Sequence, residues 1–117
     1  MICLLLKKKY YLRGFKIEID AFGSLILTRG KDSVKIRKVR HLYARMNKIH
    51  ETVRLILSMP LNYDYRIGFG TRTEIREDGD GFPEILFKSG PKIVYVYYDE
   101  CEEFFEIMDK IRNYIET

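Results

Sequence analysis

Four cations stand close together in the first half of this chain, Lys35, Arg37, Lys38 and Arg40, and two tyrosines alternate with valines in the second, Tyr95 and Tyr97. Lysine and arginine neutralise phosphates, and tyrosine rings offer faces on which unpaired bases stack, at about 1 to 3 kcal/mol per base. Cations interleaved with aromatics are therefore the equipment of a single-strand binder. By alternation, Lys16, Arg66, Arg72 and Arg76 are expected to join them on the same open sheet face. The plainer reading of Tyr95 and Tyr97 is that they pack as strand-forming residues under another part of the sheet or a partner.

The elements that must hold these residues follow from hydrophobic period. In SVKIRKV, Val34 and Ile36 alternate with Lys35 and Arg37, the period of a half-buried strand. From Val39 the period becomes helical, with Leu42, Met46, Ile49, Val53 and Ile56 on one stripe. Arg40, Ala44, Asn47, Lys48, Glu51 and Arg54 lie on the other. KIVYVYY, from Lys92 to Tyr98, predicts a second strand feeding a second helix, with Asp99 as N-cap and Phe104, Met108, Ile111 and Ile115 facing inward. Upstream, Ile2–Leu12, Phe15–Ile19 and Leu25–Thr28 read as strands. Tyr63–Phe69, Thr71–Glu77 and Glu84–Lys88 read as three more. The expectation is an α+β fold, ββββα repeated twice, with a mainly antiparallel sheet carrying both helices on one face. One domain over residues 1–117 is expected, with a possible internal pseudo-repeat of 1–59 and 60–117.

Charge divides along the same line. Residues 1–59 hold 14 Lys/Arg against 4 Asp/Glu, and residues 60–117 hold 7 against 13, so net charges of +10 and −6 underlie the overall +4. This asymmetry points to a polyanionic partner for the first half, or to a basic half facing an acidic half within the fold or across a homodimer. Six apolar residues, MICLLL, precede Lys7, which is too short for a spanning helix and in the wrong order for a secretory signal. A cytoplasmic protein with no membrane partner is expected. The lack of Trp and Gln gives the composition a thermophile-like cast.

Motifs for catalysis are weak. Cys3 and Cys101 lack metal-ligand spacing and read as core residues. Asp78-Gly79-Asp80-Gly81 lacks the remaining ligands of a calcium loop and reads as a hairpin turn. Arg45 and His50 have the spacing of a helical ribonuclease motif, but that site requires an all-helical bundle. Arg66-Ile67-Gly68-Phe69-Gly70 lacks the second aromatic of an RNA-recognition strand. No nucleophile, paired-carboxylate or phosphate-loop signature appears, so no catalytic residue, metal, cofactor or small-molecule substrate is assigned.

The order of four strands then a helix, used twice, resembles the Whirly family and the single-stranded-DNA-binding domain of positive cofactor four. The likeness spans nearly the whole chain as a pattern, while RGKDSVKIRK stands where Whirly proteins carry KGKAAL. It implies a non-enzymatic binder of single-stranded DNA or RNA. Lys16, Lys35, Arg37, Lys38, Arg40, Arg66 and Arg72 are expected to contact phosphates, with Tyr95 and Tyr97 as base platforms. The alternatives are an adaptor or inhibitor that docks proteins through its basic and acidic halves, and a small nuclease whose site leaves no motif in the sequence.

Overall fold

The computed structural model describes residues 8–58 and 65–116. Four strands, β1 (Lys8–Leu12), β2 (Phe15–Ile19), β3 (Leu25–Arg29) and β4 (Asp32–Ile36), lead into helix α1 (Val39–Ser58). Four more follow, β5 (Arg66–Gly68), β6 (Thr73–Glu77), β7 (Pro83–Ser89) and β8 (Lys92–Val96), then a 3₁₀ turn at Tyr98–Glu100 and helix α2 (Cys101–Glu116). The order is ββββα twice, an α+β fold. The strand expected over Ile2–Leu12 is described from Lys8 onward; Cys3, Tyr63 and the Ile115 side chain lie outside the described residues.

The eight strands form two four-stranded antiparallel meanders, β1-β2-β3-β4 and β5-β6-β7-β8, where a single sheet was expected. Each meander ends at an edge strand from which the chain departs as a helix, so the next strand starts a new sheet. The sheets meet along β4 and β8, and β3 approaches β8 as β7 approaches β4, giving the halves a two-fold-like relation. The helices cross over between them. Helix α1 packs on β7 of the second sheet and α2 on β1 of the first, and the two helices touch.

Period-2 patterning decides the inner faces. Phe15, Ile17 and Ile19 on β2, Leu25 and Leu27 on β3, Val34 and Ile36 on β4 are buried, as are Ile75, Ile85, Phe87, Val94 and Val96 in the second sheet. They form one core with Leu42, Met46, Ile49, Val53 and Ile56 of α1 and Phe104, Met108 and Ile111 of α2, so both helical stripes bury as their spacing predicts. Cys101 is buried with them, and burial, with nearby carboxylates, pushes its thiol up to about 12. Asp99 does not cap α2: it reaches back to Arg13, and the Glu100 carboxylate accepts the Tyr97 amide instead.

The repeat extends to turn chemistry. Between β2 and β3, Asp20 Oδ1 accepts the Phe22 and Ser24 amides at 2.9 Å each. Between β6 and β7, Asp78 Oδ1 accepts the Asp80 and Phe82 amides at 2.8 and 3.0 Å. The same i+2 and i+4 donors are satisfied in both, so each aspartate fixes its turn from within. Lying 58 residues apart, they place Arg13 and Gly14 over Thr71 and Arg72.

Candidate nucleic-acid interface

A cleft of about 560 Å³ opens where β4 gives way to α1, walled on its far side by the β5–β6 loop and the end of β7. Arg37 and Lys38 connect strand to helix, His41 and Arg45 stand one turn apart on α1, and Arg72 and Lys88 face them from the second half. Lys35, Ile36, Thr71 and Ser89 also line it, and among the described residues the lining contains no carboxylate. The first turn of α1 also carries no acidic residue, so its positive helix end adds to the field.

Neutralisation within the cleft is partial. Lys35 Nζ lies 3.5 Å from Asp20 and Lys88 pairs with Glu74. Arg45 donates to the carbonyl of His41 at 3.0 Å. Among the described residues, Arg37, Lys38, Arg45 and Arg72 have no carboxylate within ion-pair distance. Burial works to raise the Asp20 carboxyl, but the Ser24 and Phe22 amides and Lys35 outweigh it and hold the group below its ordinary value.

The local backbone of the β5–β6 loop is unusual. Gly70, Thr71 and Arg72 all have positive φ, at 74°, 51° and 55°. In the matching β1–β2 turn, Arg13 and Gly14 have φ of 48° and 81°. Arg72 thus occupies a left-handed position where the first half carries glycine, a conformation that is costly for a residue with a Cβ.

Beside the cleft lies the outer face of the first sheet. The strand register aligns Tyr11, Lys16, Thr28 and Ser33 in one cross-strand row and Lys9, Glu18, Ile26 and Lys35 in the next. Lys16 pairs with Glu18 at 3.3 Å. Tyr11 is 72% exposed on this face, and Phe22, at the tip of the β2–β3 turn beyond the Leu25–Ile36 end of the sheet, is 91% exposed.

The expected single face joining all cations to Tyr95 and Tyr97 is not formed, because the two sheets separate them. Lys16 and Lys35 belong to the first sheet; Arg37, Lys38 and Arg72 gather at the cleft, and Arg40 is exposed on the first turn of α1. Arg66 and Arg76 lie on the second sheet, where Arg66 pairs with Glu74 at 3.0 Å and Arg76 with Glu84 at 3.2 Å. Tyr95 is held there by the Arg76 guanidinium, which bonds its hydroxyl at 3.2 Å and lies over its ring. Tyr97 stacks with Tyr95 at 6.2 Å and carries Arg29 over its ring at 4.6 Å. Their surroundings, a shallow cleft of about 280 Å³, include Glu77, Asp78 and Glu84. Those carboxylates, after burial, help push the nearby Tyr65 phenol up to about 12. This is an acidic neighbourhood, and both rings are already engaged.

Sequence reading did not assign His41, Arg45, Lys88, Tyr11 or Phe22 to this surface, and weighed Arg45 only with His50 as a ribonuclease motif. Tyr11 and Phe22 carried weak signals as an aromatic beside the basic start of the chain and an apolar residue inside a turn. The assembly of Arg45 with Arg72 and Lys88 had none, because it depends on the second half docking against α1.

No protein-family model, curated protein or solved structure gives a significant match to this chain. No helix among the described residues is long and apolar enough to cross a membrane.

Proposed function

We propose that the protein is a non-catalytic binder of single-stranded nucleic acid, with the strand's phosphates held at the β4–α1 cleft and along the outer face of the first sheet. The observation that carries this reading is the convergence of Arg37, Lys38, Arg45 and Arg72 on one concave surface whose lining, among the described residues, has no carboxylate. Charges left unneutralised in a concave site concentrate the local positive potential and draw polyanions. Lys9, Lys16 and Lys35 extend the basic surface, and Tyr11 and Phe22 are the exposed rings beside it. Tyr95 and Tyr97, engaged by Arg76 and Arg29 beside carboxylates, take no part in base stacking in this reading.

Fluorescence anisotropy with labelled single-stranded and duplex oligonucleotides across a salt series tests it. Single strands are expected to bind more tightly than duplex, with a log–log salt slope that falls by about 0.7 for each phosphate contact removed. Equal affinity for duplex would remove Tyr11 and Phe22 as stacking platforms for unpaired bases. No binding of either at moderate salt would remove the reading.

A second reading, a protein-docking adaptor, is favoured by the exposed stack of Phe82 on Tyr98, 4.3 Å between ring centres. Its expected signature is a partner that binds unchanged after Arg37→Ala but is lost after Phe82→Ala. We also retain a homodimer as the proposed assembly, formed through the β1 edge of the first sheet. A monomeric mass by light scattering at low and high salt would remove it.

A further inference from the structure

The cleft is shaped for a denser anion than an internal phosphodiester. A strand running over a surface presents one negative charge per nucleotide, and the outer face of the first sheet offers its cations singly, Lys9, Lys16 beside Glu18 and Lys35 beside Asp20. Within the cleft, four cations without carboxylate partners among the described residues approach from three separate segments: Arg37 and Lys38 from the strand–helix connection, Arg45 from α1, and Arg72 from the β5–β6 loop. His41 adds an imidazole and Thr71 a hydroxyl to the same lining. A volume of about 560 Å³ is room enough for one nucleotide-sized group.

A terminal phosphomonoester carries about −1.5 to −2 at neutral pH and three acceptor oxygens free for donors. Planar guanidinium forks, three of which line this cleft, match such oxygens two at a time. Arg72 is held in its left-handed conformation at the position where the first half uses glycine, and from there it lines the cleft.

We propose that the β4–α1 cleft captures the phosphorylated end of a strand, a terminal phosphomonoester or oligophosphate, while the adjoining sheet face carries the internal phosphates. The proposal rests on the nucleic-acid reading above and assigns its cleft a more specific ligand. A free oligophosphate shares this chemistry, so the test separates the two sources.

The experiment uses the full chain and fluorescence anisotropy with an internally labelled oligonucleotide of one sequence. Its ends are varied: hydroxyl at both, 5′-phosphate, 5′-triphosphate or 3′-phosphate. At fixed moderate salt, at least one phosphorylated end is expected to bind about tenfold tighter than the all-hydroxyl strand, as several charge-assisted bonds would give. Inorganic triphosphate is expected to displace that strand down to the affinity of the hydroxyl form. Arg72→Gly, which removes the guanidinium while suiting the positive φ, is expected to erase the end preference without lowering the melting temperature. Lys16→Ala is expected to weaken all four strands alike. Equal binding of all four ends would overturn the end-capture proposal while leaving the nucleic-acid reading intact. Inorganic triphosphate binding at the cleft without any end preference would also overturn it, in favour of a free oligophosphate. Failure of every oligonucleotide to bind would overturn both.

Discussion

At the β4–α1 junction two residues, Arg37 and Lys38, link strand to helix; at the equivalent β8–α2 junction four do, Tyr97 to Glu100. The two additional residues contribute to the 3₁₀ turn at Tyr98–Glu100, which contains Asp99 and Glu100, and they change the electrostatics of the site. Asp99 takes Arg13 at 2.8 Å, and the buried Glu100 takes Arg29, which also donates to the Tyr95 carbonyl at 3.0 Å and covers the Phe15 and Tyr97 rings. One junction is therefore filled and neutral, while the other is hollow and positive. A fold that repeats its architecture can seal one copy of a site and leave the second open by a short insertion.

Among the described residues, the ion pairs that join the halves share one polarity. Arg13–Asp99, Arg29–Glu100 and Arg54–Glu102 each set a first-half cation against a second-half carboxylate. Part of the +10 against −6 asymmetry is thus consumed inside the chain, and part of what is left over, Arg37, Lys38 and Arg45, lines the cleft.

The sealed junction offers the largest expected effect. Arg29→Ala leaves Glu100, whose side chain is 3% exposed, without its counter-charge, and is expected to destabilise the protein by about 3 to 5 kcal/mol in urea unfolding. A loss near zero would mean that the second junction is not held by this pair. At the open junction the same kind of change should act on binding alone. Lys38→Glu imports a carboxylate into the cleft and is expected to lower affinity for single strands by about tenfold or more, with stability shifted by no more than about 0.5 kcal/mol.

The paired hairpins allow a reciprocal exchange. Arg72→Gly relieves a positive φ and is expected to raise stability by about 1 kcal/mol, whereas Gly14→Arg is expected to lower it by a similar amount. Melting curves of the two variants should move in opposite directions, and movement in one direction would break the proposed equivalence of the turns.

The smallest effect concerns pH. Asp20 has its folded value held below its ordinary 3.8, so its stabilisation is present above that value and is lost as pH falls through the folded one. Acid unfolding of Asp20→Asn is expected to show a weaker pH dependence below about 4 than the parent chain. Glu102, lowered chiefly by its hydrogen bond from Arg54, obeys the same sign and should sharpen the same limb.

Much of the fold was readable from local pattern. The stripe from Leu42 to Ile56, the alternation in Phe15–Ile19 and the glycine-marked turns each depend on residues a few positions apart, so periodicity and turn chemistry suffice to name them. Cap and boundary details were less readable. Asp99 looked like an N-cap by type and position, but a long-range partner, Arg13, claimed it.

The sequence by itself determined the two ββββα units, both buried helical stripes and the concentration of cations around Lys35–Arg40, since these follow from side-chain period and composition. Only the tertiary structure decided that the strands split into two sheets and that the helices exchange partners. It also decided that Arg45, Arg72 and Lys88 join Arg37 and Lys38 at one cleft while Tyr95 and Tyr97 are engaged elsewhere. The physical reason is that period states which way a side chain faces within its own element, whereas which element it then meets is set by how the two hydrophobic faces dock.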